Sequence, residues 1–93
     1  MAVGLLFDGS GVTQDQYSQV LNEVTANGTR NVPGLLTHHA GPTDGGFCVI
    51  ETWESREALQ DFVEQHLGQA LAAAGITTQP TVFEIVNSVV TGD

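Results

Sequence analysis

Three short runs, "VGLLF" at 3–7, "FCVI" at 47–50 and "VFEIV" at 82–86, are apolar at both parities, and nothing else in the chain constrains its fold as tightly. Successive strand residues point to opposite faces of a sheet. An antiparallel sheet with one face in water therefore alternates apolar and polar. These runs do not alternate, so both faces of the sheet they form need cover.

The chain offers two amphipathic helices for that purpose. Thr13, with Gln16 three residues later, makes a capping box, and Tyr17, Val20, Leu21 and Val24 recur at helical spacing. This first helix is predicted to end near Ala26, where Asn27 and Gly28 follow. Ser55 can cap a second helix with the apolar stripe Leu59, Phe62, Val63, His66, Leu67, Ala70, Leu71 and Ala74, and Gly75 is its stop signal. Strands are predicted over 2–8, closed by "DGSG"; over "GLLTHHA" and "FCVIETW", joined as a hairpin by "GPTDGG"; and over "TVFEIV" after Pro80. "NSVVTGD" reads as a polar C-terminal stretch in which Val89 and Val90 can dock. The order β-α-β-β-α-β is that of a ferredoxin-like α+β sandwich: a four-stranded antiparallel sheet with two helices on one face, a single domain over 1–93. Two helices shelter one side. The least costly cover for the other is a second copy of the chain, which predicts a homodimer packed through its sheet faces.

Composition narrows the function. With 93 residues and Cys48 as the only cysteine, no internal disulfide or cysteine-built metal site can support the core. Eleven acidic residues face only Arg30 and Arg56, a formal net charge of −9. That field repels phosphate backbones and anionic lipid, so neither nucleic acid nor a membrane is expected as a partner. No lysine is present, which removes Schiff-base chemistry, lysine-anchored pyridoxal phosphate and the P-loop. "MAVGLLF" has no basic segment and its apolar run stops at Asp8, too short for a signal peptide or a membrane span, so a soluble, acidic, cytoplasmic protein is expected. "GSG" is too weak for a dinucleotide fingerprint, and "NGT" at Asn27 reads as a polar turn.

The element order, the "ETWES" segment running from strand into helix, and its continuation "REALQDFVEQHLGQAL" together resemble the dimeric α+β barrel superfamily. Within it the chain is most similar to the antibiotic biosynthesis monooxygenase branch, over nearly its whole length. The resemblance implies a fold more than an activity, because the superfamily includes cofactor-free oxygenases, haem-degrading enzymes, isomerases, cyclases and plain ligand binders. Haem-degrading members carry a tryptophan within the second helix, a histidine some three turns on and an asparagine in the first strand. In the register of "WES" those places hold Phe62, Ala72 and Asp8, so haem degradation is not expected.

The chemistry-bearing residues cluster in the hairpin. His38 and His39 are consecutive and point to opposite faces, so they cannot chelate one metal. With a two-residue "DG" or four-residue "PTDG" turn, Leu36, His38, Ala40, Phe47, Val49, Glu51 and Trp53 share a face; Ala40 is expected opposite Phe47, His38 opposite Val49 and Leu36 opposite Glu51. His38 and Glu51 are then diagonal neighbours roughly 7–8 Å apart. A three-residue loop would reverse the face. His38 reads either as a general base whose tautomer Glu51 fixes, or as a hydrogen-bonded strand histidine. Glu51 reads otherwise as a strand-end or interface carboxylate. His66, inside the helical stripe, is expected to face the sheet, reaching a ligand opposite His38 or capping a carbonyl. His39 belongs to the interface or outer surface. Tyr17, Trp53, Phe62 and Leu36 are candidate walls of a slot for a small hydrophobic or aromatic ligand, and the two polar aromatics read equally as core. Phe47, Phe62 and Phe83 are expected in the core, and Cys48 as a small buried hydrophobe.

The expected catalytic set is thus His38, His66 and Glu51. What the resemblance implies is a cofactor-independent monooxygenase, or an isomerase, acting on a small planar phenolic or polyketide-like molecule; the residues supply no metal or cofactor site. The alternative is a non-catalytic ligand-binding or accessory protein of the same fold. A third reading joins His38, Glu51 and His66 around a metal.

Overall fold

The computed structural model describes residues 1–25 and 32–89. The expected helix end at Ala26, the Asn27–Gly28 turn and Val90 lie outside the described residues. Four strands, β1 (Val3–Ser10), β2 (Leu35–Thr43), β3 (Gly46–Trp53) and β4 (Thr81–Glu84), form one antiparallel sheet in the order β2-β3-β1-β4. Helix α1 (Gln14–Thr25) connects β1 to β2. Between β3 and β4 run α2 (Arg56–Phe62), a π-helical turn (Val63–Leu67) and α3 (Gly68–Ala73). The ferredoxin-like α+β architecture is the one the element order predicts, with the second helix divided in three.

Both helix starts follow their capping residues. The Thr13 N–H donates to Gln16 Oε1 at 2.9 Å while the Gln16 N–H donates to Thr13 Oγ1 at 3.1 Å, a reciprocal box. Ser55 Oγ accepts from the Ala58 N–H at 3.1 Å. Gln16 also reaches across the fold: its Nε2 donates to the Ala74 carbonyl at 3.1 Å, just past the end of α3. There Gly75, at φ +74, reverses the chain. Its N–H donates to the Ala72 carbonyl, and the Ile76 N–H donates to the Leu71 carbonyl at 2.9 Å. This is a Schellman closure, which places the apolar Ile76 and Leu71 side by side.

One face of the sheet carries the core. Val3, Leu5 and Phe7 of β1 and Phe47 and Trp53 of β3 are buried against Val12, Val20, Leu59, Ala70 and Ile76. The opposite face is apolar and open: Leu6, Ile50 and Phe83 are 42, 52 and 51% exposed, and Leu6 lies opposite Ile50. Phe83 is therefore not a core residue. Strand β4 pairs it with Gly4, and its ring lies over the space that a Cβ at Gly4 would occupy. Cys48 and His39 also belong to this outer parity, and Val89 is exposed. No helix among the described residues is long and apolar enough to cross a membrane.

Candidate functional site

Between sheet and helices lies a cavity of about 320 Å³. Its floor is Leu5, Phe7, Phe47 and Val49, and its roof includes Val20, Phe62, Leu67 and Leu71. Three polar side chains interrupt the apolar wall: Tyr17, His38 and Glu51.

The hairpin turn is the two-residue Asp44–Gly45, so Thr43 pairs with Gly46 and His38 stands directly opposite Glu51. The shared face follows the expected parity, but the pairing lies two residues from the expected one: Ala40, not His38, is opposite Val49. Direct opposition brings the side chains into contact. His38 Nδ1 lies 2.6 Å from Glu51 Oε2, the short range of a charge-assisted hydrogen bond. The other carboxylate oxygen, Oε1, accepts from the Trp53 indole N–H at 3.0 Å, two residues along the same strand face. Glu51 is the buried polar residue of the core, 8% exposed, and both its oxygens are satisfied. That resolves the cost of its burial.

On the far side of the imidazole, His38 Nε2 lies 2.8 Å from the Tyr17 hydroxyl. The two rings are near-parallel at 6.2 Å, and Tyr17 stacks on Phe47 at 4.7 Å. An indole can only donate and a carboxylate can only accept. With Glu51 as a carboxylate, His38 donates from Nδ1, and in the neutral imidazole Nε2 then accepts from Tyr17. Burial pushes the Tyr17 phenol above its ordinary 10.0, and the negative charge of Glu51 pushes it the same way. Tyr17 is thus a neutral phenol at neutral pH. Tyr17, His38, Glu51 and Trp53 form a single relay ending at the cavity.

Three expected site residues lie elsewhere. A β-bulge between Leu35 and Thr37 turns Leu36 outward, 58% exposed, and Leu35 takes its place on the cavity wall. Trp53 is fully buried and supports Glu51 and Phe62 (ring centroids 5.5 Å apart) from behind rather than lining the cavity. His66 is exposed. In the π-helical turn the Gly68 N–H donates to the Val63 carbonyl five residues back, and Leu67 rather than His66 joins Phe62 on the cavity wall. His66 keeps a ring contact with Phe62 at 5.8 Å but does not line the cavity. It cannot join His38 and Glu51 around a metal, and no group of three or more potential ligands is assembled among the described residues. Phe62 and Tyr17 do line the cavity. The bond between Tyr17 and His38 is the feature that sequence reasoning missed; its signal was present in the sheet-facing phase of Tyr17 and the inward parity of His38.

A four-stranded antiparallel sheet, helices on one face and an apolar cavity between them define a ferredoxin-like α+β fold. Within that class the chain belongs to the antibiotic biosynthesis monooxygenase family, whose model matches residues 11–74. No curated protein matches it. Among solved structures it is similar to SnoaB, a cofactor-independent oxygenase from Streptomyces nogalater (19% identity, 95% of this chain and 94% of that one, TM-score 0.60). It is also similar to Rv0793 from Mycobacterium tuberculosis (24%, 96% and 97%, 0.60). A third is a dimeric ferredoxin-like protein of unknown function from Thermobifida fusca (19%, 91% and 92%, 0.61).

Proposed function

We propose that the protein is a cofactor-independent monooxygenase of a small planar phenolic or polyketide-like molecule, working as a cytoplasmic homodimer with one cavity per subunit. The observation that carries this reading is the relay at one end of an otherwise apolar cavity. An apolar cavity of about 150 Å³ accepts benzene, so about 320 Å³ suits two or three fused rings.

The chemistry needs little from the protein. The substrate's acidic proton passes to Tyr17 Oη as the Tyr17 proton passes to His38 Nε2, and Glu51 stabilises the resulting imidazolium. The substrate anion gives its electrons to dioxygen, a carbon–oxygen bond forms, and the peroxide anion takes up a proton. Loss of water from that hydroperoxide leaves a carbonyl, so substrate plus dioxygen gives product plus water. Reprotonation of the anion at another carbon, without dioxygen, is the isomerase variant. The family membership supports the oxygenase.

The two-fold partner is argued from the outer sheet face, where Leu6, Ile50 and Phe83 stand open in a single chain. The experiment is turnover of a hydroxyanthrone followed by oxygen uptake, comparing the native chain with His38→Ala and His66→Ala. His38→Ala is expected to remain folded and dimeric while losing about 10²-fold or more in rate, and His66→Ala to keep it. Tight binding without oxygen uptake would instead favour the non-catalytic ligand binder, a reading to which the predominantly apolar wall lends itself.

A further inference from the structure

The hydrogen bonds at the polar end of the cavity converge on Glu51. The Trp53 indole donates to Glu51; with His38 a neutral imidazole, its Nδ1–H donates to Glu51 and its Nε2 accepts from the Tyr17 hydroxyl. The sense is set at Glu51, which as a carboxylate can only accept, and is passed on by an imidazole that, when neutral, has one donor and one acceptor. By the time it reaches Tyr17, every polar proton on the cavity's side chains is in use. What remains for a guest is lone pairs, on Tyr17 Oη and on the Glu51 carboxylate. The rest of the wall is apolar.

We infer that the site selects the hydroxylated, hydrogen-donating form of an aromatic ligand and rejects the matching carbonyl or ether form; this rests on the reading of the cavity as a ligand pocket. A phenolic hydroxyl donates to Tyr17 Oη and adds one link to the relay. A carbonyl or ether oxygen meets only other lone pairs. To greet it with a proton, Tyr17 must turn its hydroxyl away from His38 and give up that bond, a loss worth about tenfold in affinity. For a reaction that converts a ring position of a phenol into a carbonyl, the same polarity that admits the substrate weakens the hold on the product. Product release is then written into the direction of the hydrogen bonds.

The test needs no turnover. Under nitrogen at pH 7, the dissociation constants of 2-naphthol, 2-methoxynaphthalene and 2-ethylnaphthalene are measured by titration calorimetry. The expected order has 2-naphthol at least about tenfold tighter than 2-methoxynaphthalene, with the size-matched 2-ethylnaphthalene no weaker than the ether. An ether within twofold of the naphthol overturns the inference and leaves the pocket intact; failure of all three to bind overturns the pocket reading and the inference with it. The proton positions are read separately by nitrogen-15 NMR on a His39→Ala, His66→Ala chain, in which His38 is the sole imidazole. A proton on Nδ1 with Nε2 bare is expected. A proton on Nε2, alone or as imidazolium, frees the Tyr17 hydroxyl to donate and overturns the inference even if the naphthol binds.

Discussion

Replacing Trp53 by phenylalanine tests whether the buried carboxylate depends on the indole behind it. Trp53 has no exposed surface, its N–H lies 3.0 Å from Glu51 Oε1, and its ring leans on Phe62 at 39°. Phenylalanine keeps an aromatic ring there but removes the one donor to that oxygen. Losing a hydrogen bond to a charged acceptor costs about 1.5–3 kcal/mol. The smaller ring leaves a void costing on the order of 1 kcal/mol more. Together these predict a loss of about 2.5–4 kcal/mol, or roughly 10–30 °C in melting temperature for a domain of this size. The assay is urea denaturation followed by circular dichroism, since the substitution removes the chain's only tryptophan, at fixed protein concentration to hold any dimer linkage constant. Phe62→Leu, which thins the aromatic packing without touching Glu51, serves as comparison. A Trp53→Phe chain within about 0.5 kcal/mol of the parent would refute the claim that the indole N–H is what lets Glu51 stay buried.

Tyr17 is the only tyrosine, so phenolate absorbance titrates it alone, and its midpoint is expected above 10.0 in the folded protein and to fall back in urea. Because the folded chain then holds this proton longer than the unfolded one, stability is full below about pH 10 and declines as pH rises through the folded value. Tyr17→Phe should abolish that decline, and a folded midpoint at or below 10.0 would contradict the burial argument. Ile50→Asp, in the middle of the open sheet face, is expected to give a folded monomer by sedimentation; an unchanged dimer would place the interface elsewhere. Gly75→Ala meets no neighbouring atom yet imposes a side chain at φ +74, so thermal denaturation should show a loss of about 1 kcal/mol. No loss would mean the helix end can relax.

The parts of this fold that follow local rules could be read from the chain. The Thr13–Gln16 box, the Ser55 cap, the Gly75 stop and the inward parity of His38 and Glu51 each depend on neighbours a few residues away. So does the excess of apolar sheet, which is a count of faces against helices. What escaped reading depends on an inserted residue. The bulge at Leu36 shifts the register at the start of β2, and the Pro33–Gly34 pair just before it reads equally well as an ordinary turn into the strand. The π-helical turn at Val63–Leu67 leaves an apolar periodicity that an unbroken α-helix would show equally well. Both exchanged one expected wall residue for its neighbour, Leu36 for Leu35 and His66 for Leu67. The contact between Tyr17 and His38 joins a helix to an edge strand across the cavity, a tertiary fact with only its two phases visible in the chain.

Gln16 sits where the local capping rule would accept glutamate as readily as glutamine, because either offers an oxygen to the Thr13 N–H. Its other end decides between them. The amide nitrogen that reaches the Ala74 carbonyl has no counterpart in a carboxylate, which would set two acceptors against each other and push apart the two helix ends that roof the cavity. A substitution that looks silent on one helix would therefore loosen the clasp between both, and the guest's chamber would lose its lid fastening while each helix, taken alone, kept its proper start.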